Sequence, residues 1–189
     1  MKKQLLKKLY SIIVTAMMFS ASANAQIVYT DILPDSTYTF TNSGTKTYNL
    51  DLNGDNTTDF LIKVARLNTR SGSSSYVSIT PQGSNAFITT TLSTVKKLVP
   101  GATIGSSQAW HDTTVQFLKL YTVSSFTGIT TNSGEWNNAV DGYVGLQLIN
   151  GGQTYYGWVR MDVTVSIGSA SMTIKDYAYN SIPDRKSVV

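Results

Sequence analysis

The run Tyr155-Tyr156-Gly157-Trp158-Val159-Arg160-Met161-Asp162-Val163-Thr164-Val165-Ser166-Ile167 alternates from end to end. Tyr155, Gly157, Val159, Met161, Val163, Val165 and Ile167 fall on one side. Tyr156, Trp158, Arg160, Asp162, Thr164 and Ser166 fall on the other. Successive side chains of an extended chain point to opposite faces, so a period of two marks a strand. One face is apolar and suits a core. The other is polar and carries aromatic rings, as in an antiparallel sheet with unlike faces.

The neighbours read the same way. Gly142 to Ile149 has strand character, and Asn150-Gly151-Gly152 is a tight-turn signal joining it to the long run. Ile167-Gly168-Ser169 turns the chain into Ala170–Asn180, where Met172, Ile174 and Ala178 alternate with Thr173, Lys175 and Tyr177. Residues 142–180 are therefore expected to form a three-stranded antiparallel meander. Upstream, strands are expected at 26–32, 37–41, 46–51, 59–68, 75–80, 85–91 and 114–123, with Gly/Ser/Asn-rich loops at 71–75, 101–108 and 127–138. No stretch sustains an apolar period of 3.6. Many short strands with frequent turns point to an all-β protein, an antiparallel β-sandwich of jelly-roll-like, lectin-like type, with a barrel as the alternative.

Length and charge fit one exported domain. The chain has 189 residues and a formal net charge of +4, but Lys2, Lys3, Lys7 and Lys8 lie in its first eight residues. Without them, basic and acidic side chains balance at 11 each. Residues 9–19 are apolar and uncharged, and Ala23-Asn24-Ala25 is a small-x-small pattern. Together these read as a signal peptide over 1–25, cleaved after Ala25. A membrane anchor would need roughly 20 apolar residues. Residues 26–189 are then one secreted domain, large enough to bury roughly 70% of its unfolded surface. With no second long apolar run, no membrane span is expected after cleavage.

Composition narrows the chemistry. There is no Cys, which excludes disulfides, thiol nucleophiles and Cys-ligated metals. One His (His111) and one Glu (Glu135) leave few general acids or bases. Glycoside hydrolysis normally uses two carboxylates about 5–10 Å apart, and Gly134-Glu135-Trp136-Asn137 offers no second acid. Trp110-His111-Asp112 has no G-x-S-x-G elbow to accompany it. No enzymatic activity is expected. A neutral domain with no basic patch is not expected to bind nucleic acid.

The sharpest chemical signal is Asp51-Leu52-Asn53-Gly54-Asp55-Asn56-Thr57-Thr58-Asp59-Phe60. It places oxygen side chains at loop positions one, three, five and nine. Calcium takes 6–8 oxygen ligands at about 2.3–2.6 Å from a tightly curled loop. The expected Ca2+ ligands are Asp51, Asn53, Asp55 and Asp59, with the carbonyl of Thr57, in a structural role. The loop is not an EF-hand, because position twelve is Lys63 and Phe60-Leu61-Ile62 continues as a strand. It looks like the shorter D-x-N-x-D-x-x-x-D loops of FG-GAP-type and thrombospondin-type repeats, with Asn56 where Gly is usual. A solvated Asx-rich turn is the alternative.

The same loop, with Tyr143-Val144-Gly145-Leu146-Gln147-Leu148, Tyr156-Gly157-Trp158 and Asp176-Tyr177-Ala178-Tyr179-Asn180, resembles a set of motifs found in order in small exported bacterial proteins of the PEP-CTERM type. The resemblance implies a secreted β-rich domain without an assigned activity. Residues 181–189 depart from it, with no Pro-Glu-Pro anchor and no terminal apolar helix.

The reading favoured for function is a binding or surface-interaction module. Trp110, Trp136, Tyr156, Trp158 and Tyr177 are candidates for a sugar-stacking face, since flat rings match the apolar face of a pyranose. The partner would be a glycan or extracellular surface polymer. The bland alternative is that these rings pack the sandwich. A structural component of the extracellular matrix or envelope is the second reading, and a glycan-acting enzyme the third.

Overall fold

The computed structural model describes residues 26–90 and 94–189, and its regular elements are all strands; the expected signal peptide lies outside them. In chain order the strands are β1 (Ile27–Phe40), β2 (Gly44–Leu50), β3 (Phe60–Thr69), β4 (Gly72–Pro81), β5 (Ala86–Ile88), β6 (Thr103–Ile104), β7 (Trp110–His111), β8 (Gln116–Ser124), β9 (Thr130–Ser133), β10 (Ala139–Asn150), β11 (Gln153–Val165), β12 (Ala170–Asn180) and β13 (Ser187–Val188). They form a six-stranded sheet in the order β1-β12-β11-β10-β5-β7 and a five-stranded sheet in the order β2-β3-β4-β8-β9. All pairings are antiparallel. The two sheets pack face to face as a β-sandwich, with β12 over β3 and β4, and β11 over β4 and β8.

The expected meander is present as β10-β11-β12, paired from Asn150↔Gln153 to Val165↔Ala170 with a register shift in each hairpin. Its inward residues Val144, Leu146, Val159, Met161, Val163, Val165, Met172 and Ile174 meet Phe60, Ile62, Val64, Val77, Ile79 and Leu118 of the other sheet. Each fully buried side chain of this size contributes about 1.5–3 kcal/mol. Ile167, which the alternation assigned to the core face, sits in the β11–β12 turn and is exposed.

Three differences from the expected layout have physical causes. The expected strands 26–32 and 37–41 are one strand, β1, whose pairing with β12 shifts between Asp31 and Ser36. Pro34 lies in that gap and has no N–H to give the ladder. The expected loop at 71–75 shrinks to a turn at Arg70-Ser71, because Gly72 and the serines after it pair with β3 and β8. The expected loops at 101–108 and 127–138 contain the short strands β6 and β9.

The outer face of the meander is covered as well. Ile88, Leu98, Ile104, Tyr156, Trp158 and Ala178 form a second, smaller core on that side. β13, paired with β6, lies over it. Trp158 stands in register between Gly145 on β10 and Ala178 on β12. Small residues on both flanks make room for the indole.

The turns sort to two ends. One end holds the loop between β2 and β3, the β4–β5 turn and the Gly151-Gly152 turn: Asp59 bonds back to Leu50, Gln82 bonds to Asp59, and Ile149 bonds to Asn85. The other end holds the turns after β1, β3, β8 and β11. Arg66 ties three of these segments, through Thr41 O at 3.0 Å and Ile167 O at 2.7 Å. Ser125 N donates to Ser71 O to fix the fourth.

Candidate functional site

The acidic loop connects adjacent strands of one sheet, and its curl is set by left-handed backbone at Gly54 (φ 75°) and Asn56 (φ 67°). Only Gly and a short amide adopt that region readily. Asp51 stands at the loop's start. One of its oxygens accepts from Gly54 N at 2.8 Å and Asp55 N at 3.2 Å, and the other from Asn56 N at 2.7 Å. Asn53 and Asp55 bond to each other, Asn53 Nδ2 donating to Asp55 at 2.9 Å and Asp55 N to Asn53 Oδ1 at 3.2 Å. Thr57 N donates to Asp55 at 2.8 Å. The Asn53 amide and then Thr57 hold the Asp55 carboxyl below the usual carboxylate range.

Asp59 differs from the others. It is buried, accepts from Leu52 N at 2.7 Å, and receives Asn85 Nδ2 at 3.3 Å. Burial pushes its pKa up, the two hydrogen bonds oppose that, and the charges of Asp51 and Asp55 add to it. Asn85 is the link between the sheets. It reaches Asp59 with its amide N–H and accepts from Ile149 N on β10 at 2.8 Å. Sequence reading missed Asn85, since a lone Asn in a turn carries no signal of its own.

As arranged, the loop is closed by its own N–H groups. Its oxygens are hard donors of the kind calcium takes. Among the described residues, however, no three carboxylate or imidazole groups lie close enough together to hold a metal ion. Beside the loop is a cleft of about 300 Å³, lined by Asn53, Asp55, Thr57, Gln82, Asn85 and Asn150 among others. Its walls present amides, hydroxyls and one exposed carboxylate.

The five aromatic candidates do not meet on one open face. Trp136 is 0% exposed, lies in the main core, and donates from Nε1 to Val95 O at 3.0 Å. Trp158 is 8% exposed and donates to Val188 O at 3.2 Å. Tyr156 is 3% exposed and stacks on Trp110 with ring centroids 5.7 Å apart. Trp110 is half-buried, and its indole N–H has no acceptor among the described residues. Tyr177 packs against the main core, not the outer face. The register slips between Arg160↔Asp176 and Met161↔Ile174, and the extra residue reverses which side Tyr177 faces. Trp136, Tyr156 and Trp158 thus have no ring face free for a sugar.

The remaining chemical groups are engaged. His111 Nε2 lies 2.9 Å from Thr114 Oγ1 and 3.2 Å from Gln116 Nε2. Glu135 accepts from Lys97 N at 3.4 Å. On the outer side of the meander, Arg160 grips Asp176 with two nitrogens, and Lys175 bridges Asp141 and Asp162 at 2.8 Å each. No family of known proteins, no curated protein and no solved structure matches this chain.

Proposed function

We propose that this chain is a secreted, non-enzymatic β-sandwich module that binds an extracellular polymer, with a glycan as the ligand class, through the cleft beside the Asp51–Asp59 loop. The observation that carries the reading is the lining of that cleft: amides of Asn53, Gln82 and Asn150, the hydroxyl side of Thr57 and the Asp55 carboxylate converge on one concavity. Such groups match the donors and acceptors of sugar hydroxyls, and Asn85 fixes their placement by joining both sheets. The secreted assignment rests on the basic, apolar and small-residue pattern of residues 1–25. The chain crosses between the sheets at β1–β2, β4–β5, β7–β8 and β9–β10, and on that alternation the sandwich is read as jelly-roll-like. Kinship with the PEP-CTERM-type exported proteins is part of the same proposal. Three of its four quoted motifs meet on one patch, where Gly145 and Ala178 flank Trp158 and Gly157 pairs with Tyr179; the fourth, the acidic loop, belongs to the other sheet.

Calcium is proposed as the structural ligand of the loop. Three acids within nine residues, on a backbone already curled, support it. Binding would require Asp55 and Asp59 to exchange N–H partners for the ion. One experiment covers both ligands: a glycan array and a thermal melt, each run in calcium and in chelator. The expected outcome is a rise in Tm with calcium and a bound glycan lost in Asp55→Ala. Equal melting in calcium and chelator removes the metal, and an empty array removes the glycan.

A further inference from the structure

The end of the sandwich opposite the acidic loop has a different chemistry. Its turns are Thr41-Asn42-Ser43, Arg70-Ser71, Ser125-Phe126-Thr127-Gly128-Ile129 and Ser166-Ile167-Gly168-Ser169, and none contains an acidic residue. Three large apolar side chains stand out from them: Phe126 is 79% exposed, Ile129 65% and Ile167 52%. An apolar ring at a hairpin tip gains nothing from water and contributes nothing to the core. Several such groups at one end mark an interaction surface more than scattered exposure does.

Positive charge accompanies them. Arg70 is exposed at the β3–β4 turn. Arg66 sits just below, bonded to Thr41 O, Ser75 Oγ and Ile167 O. Neither guanidinium has a carboxylate partner among the described residues; the ion pairs there belong to Arg160 and Lys175. Asp162, three residues in from this end on β11, is taken by Lys175 at 2.8 Å. Between the tips runs a groove of about 460 Å³, whose walls include Leu67, Thr69, Ser71, Thr122, Thr127 and Ile129. Hydroxyls and aliphatic groups line it together.

We propose that this end docks on the surface of an anionic lipid bilayer. Phe126, Ile129 and Ile167 would enter the boundary between headgroups and acyl chains. Arg70 and Arg66 would face lipid phosphates, and the Ser and Thr hydroxyls would bond headgroup oxygens. Each class of group then has a partner. A second copy meeting this end with its Asp51–Asp59 end would satisfy the arginines but leave the apolar tips uncovered, and one meeting it tip to tip would bury the apolar groups but set the arginines of both copies together. Peripheral docking needs apolar burial and electrostatic attraction together, since either alone is weak. The site is separate from the polar cleft and does not depend on the calcium reading.

The test is vesicle cosedimentation of the secreted protein, in chelator throughout so that calcium cannot bridge the acidic loop to lipid. Vesicles of phosphatidylcholine with phosphatidylglycerol are compared with phosphatidylcholine alone. Two basic side chains near the surface predict about tenfold or greater preference for the anionic vesicles, decaying with salt. Phe126→Ser with Ile129→Ser is expected to abolish cosedimentation, and Arg70→Gln to weaken it severalfold, with melting temperatures unchanged because these side chains lie outside the core. Absence of binding, or binding indifferent to the Phe126/Ile129 change, overturns the proposal. So does concentration-dependent dimerisation lost in the Phe126/Ile129 variant without any vesicle binding, which would assign this end to a second copy.

Discussion

Tyr29 gives a single-residue reading of the outer face. Its hydroxyl donates to Asp176 Oδ2 at 2.8 Å, beside the Arg160 grip on the same carboxylate. That hydrogen bond, with some burial and the Asp176 charge, pushes its pKa from 10.0 up to about 12. A folded-state pKa above the unfolded one means that the contribution is whole below pH 10 and is lost as pH rises through about 12. Tyr29→Phe is therefore expected to remove one late-ionising phenol from the alkaline absorbance titration. It should also flatten the loss of stability across that window. Amplitude lost near pH 10 instead of near 12 would show that Tyr29 ionises normally. Nothing in the run Ile27-Val28-Tyr29 announced this partner, because Asp176 lies 147 residues away. The acidic loop shows the opposite balance. Asp51, Asn53 and Asp55 were legible as a curled oxygen-rich loop, and the curl is there. Which atoms those oxygens meet was not legible, because nearby N–H groups compete with any ion.

Elements followed the period-two pattern closely where one face was continuously apolar, as in β11. They departed from it where backbone irregularity intervened. In β12 an extra residue beside Lys175 turns Tyr177 toward the main core and leaves Ala178 on the outer side. Strict alternation through Asp176 puts Ala178 with Met172 and Ile174 and Tyr177 with Thr173, the wrong face for both; the adjacent charges Lys175-Asp176 are the one mark of the break in the sequence. The glycines of the meander are set by close approach. A Cβ on Gly157 would lie 2.5 Å from Ala178 O and 2.8 Å from Tyr179 Cβ. Backbone cannot yield as a flexible side chain can. Gly157→Ala is expected to destabilise by about 1–3 kcal/mol, an overpacking cost, lowering Tm by roughly 3–10 °C for a domain of this size. Calorimetry checks it, and a melt within a degree of the parent would mean that β12 moves aside freely.

At the scale of the whole molecule, two cores share one sheet. The main core lies between the sheets, and the smaller one is roofed by β6 and β13. Val188 O accepts from Trp158 Nε1, Val189 O from Gly101 N at 2.9 Å, and Val189 N donates to Ala102 O at 3.2 Å. Removing residues 187–189 uncovers Trp158 and Ile104. Burial of one such side chain is worth about 1.5–3 kcal/mol, so the truncated protein should melt several degrees lower with red-shifted tryptophan emission. Unchanged emission would show that the roof is not what shields Trp158. This arrangement also explains the fate of the aromatic candidates. Read along the strand, Tyr156 and Trp158 look outward, and they do lie on the outer side of their sheet. What the strand could not show is that a remote segment returns to cover them.

The sequence by itself determined the β class, the meander, the turn residues and the curled acidic loop. Each of these depends on contacts between near neighbours, on backbone preferences at Gly and Asn, or on the two-residue period of an extended chain. Only the tertiary structure decided which aromatics are buried, that Asn85 bridges the sheets at the acidic end, and that apolar tips collect at the other beside two arginines with no carboxylate partner among the described residues. Those depend on which distant strands pair and on where a bulge resets the register. A period repeated along one strand holds no information about either.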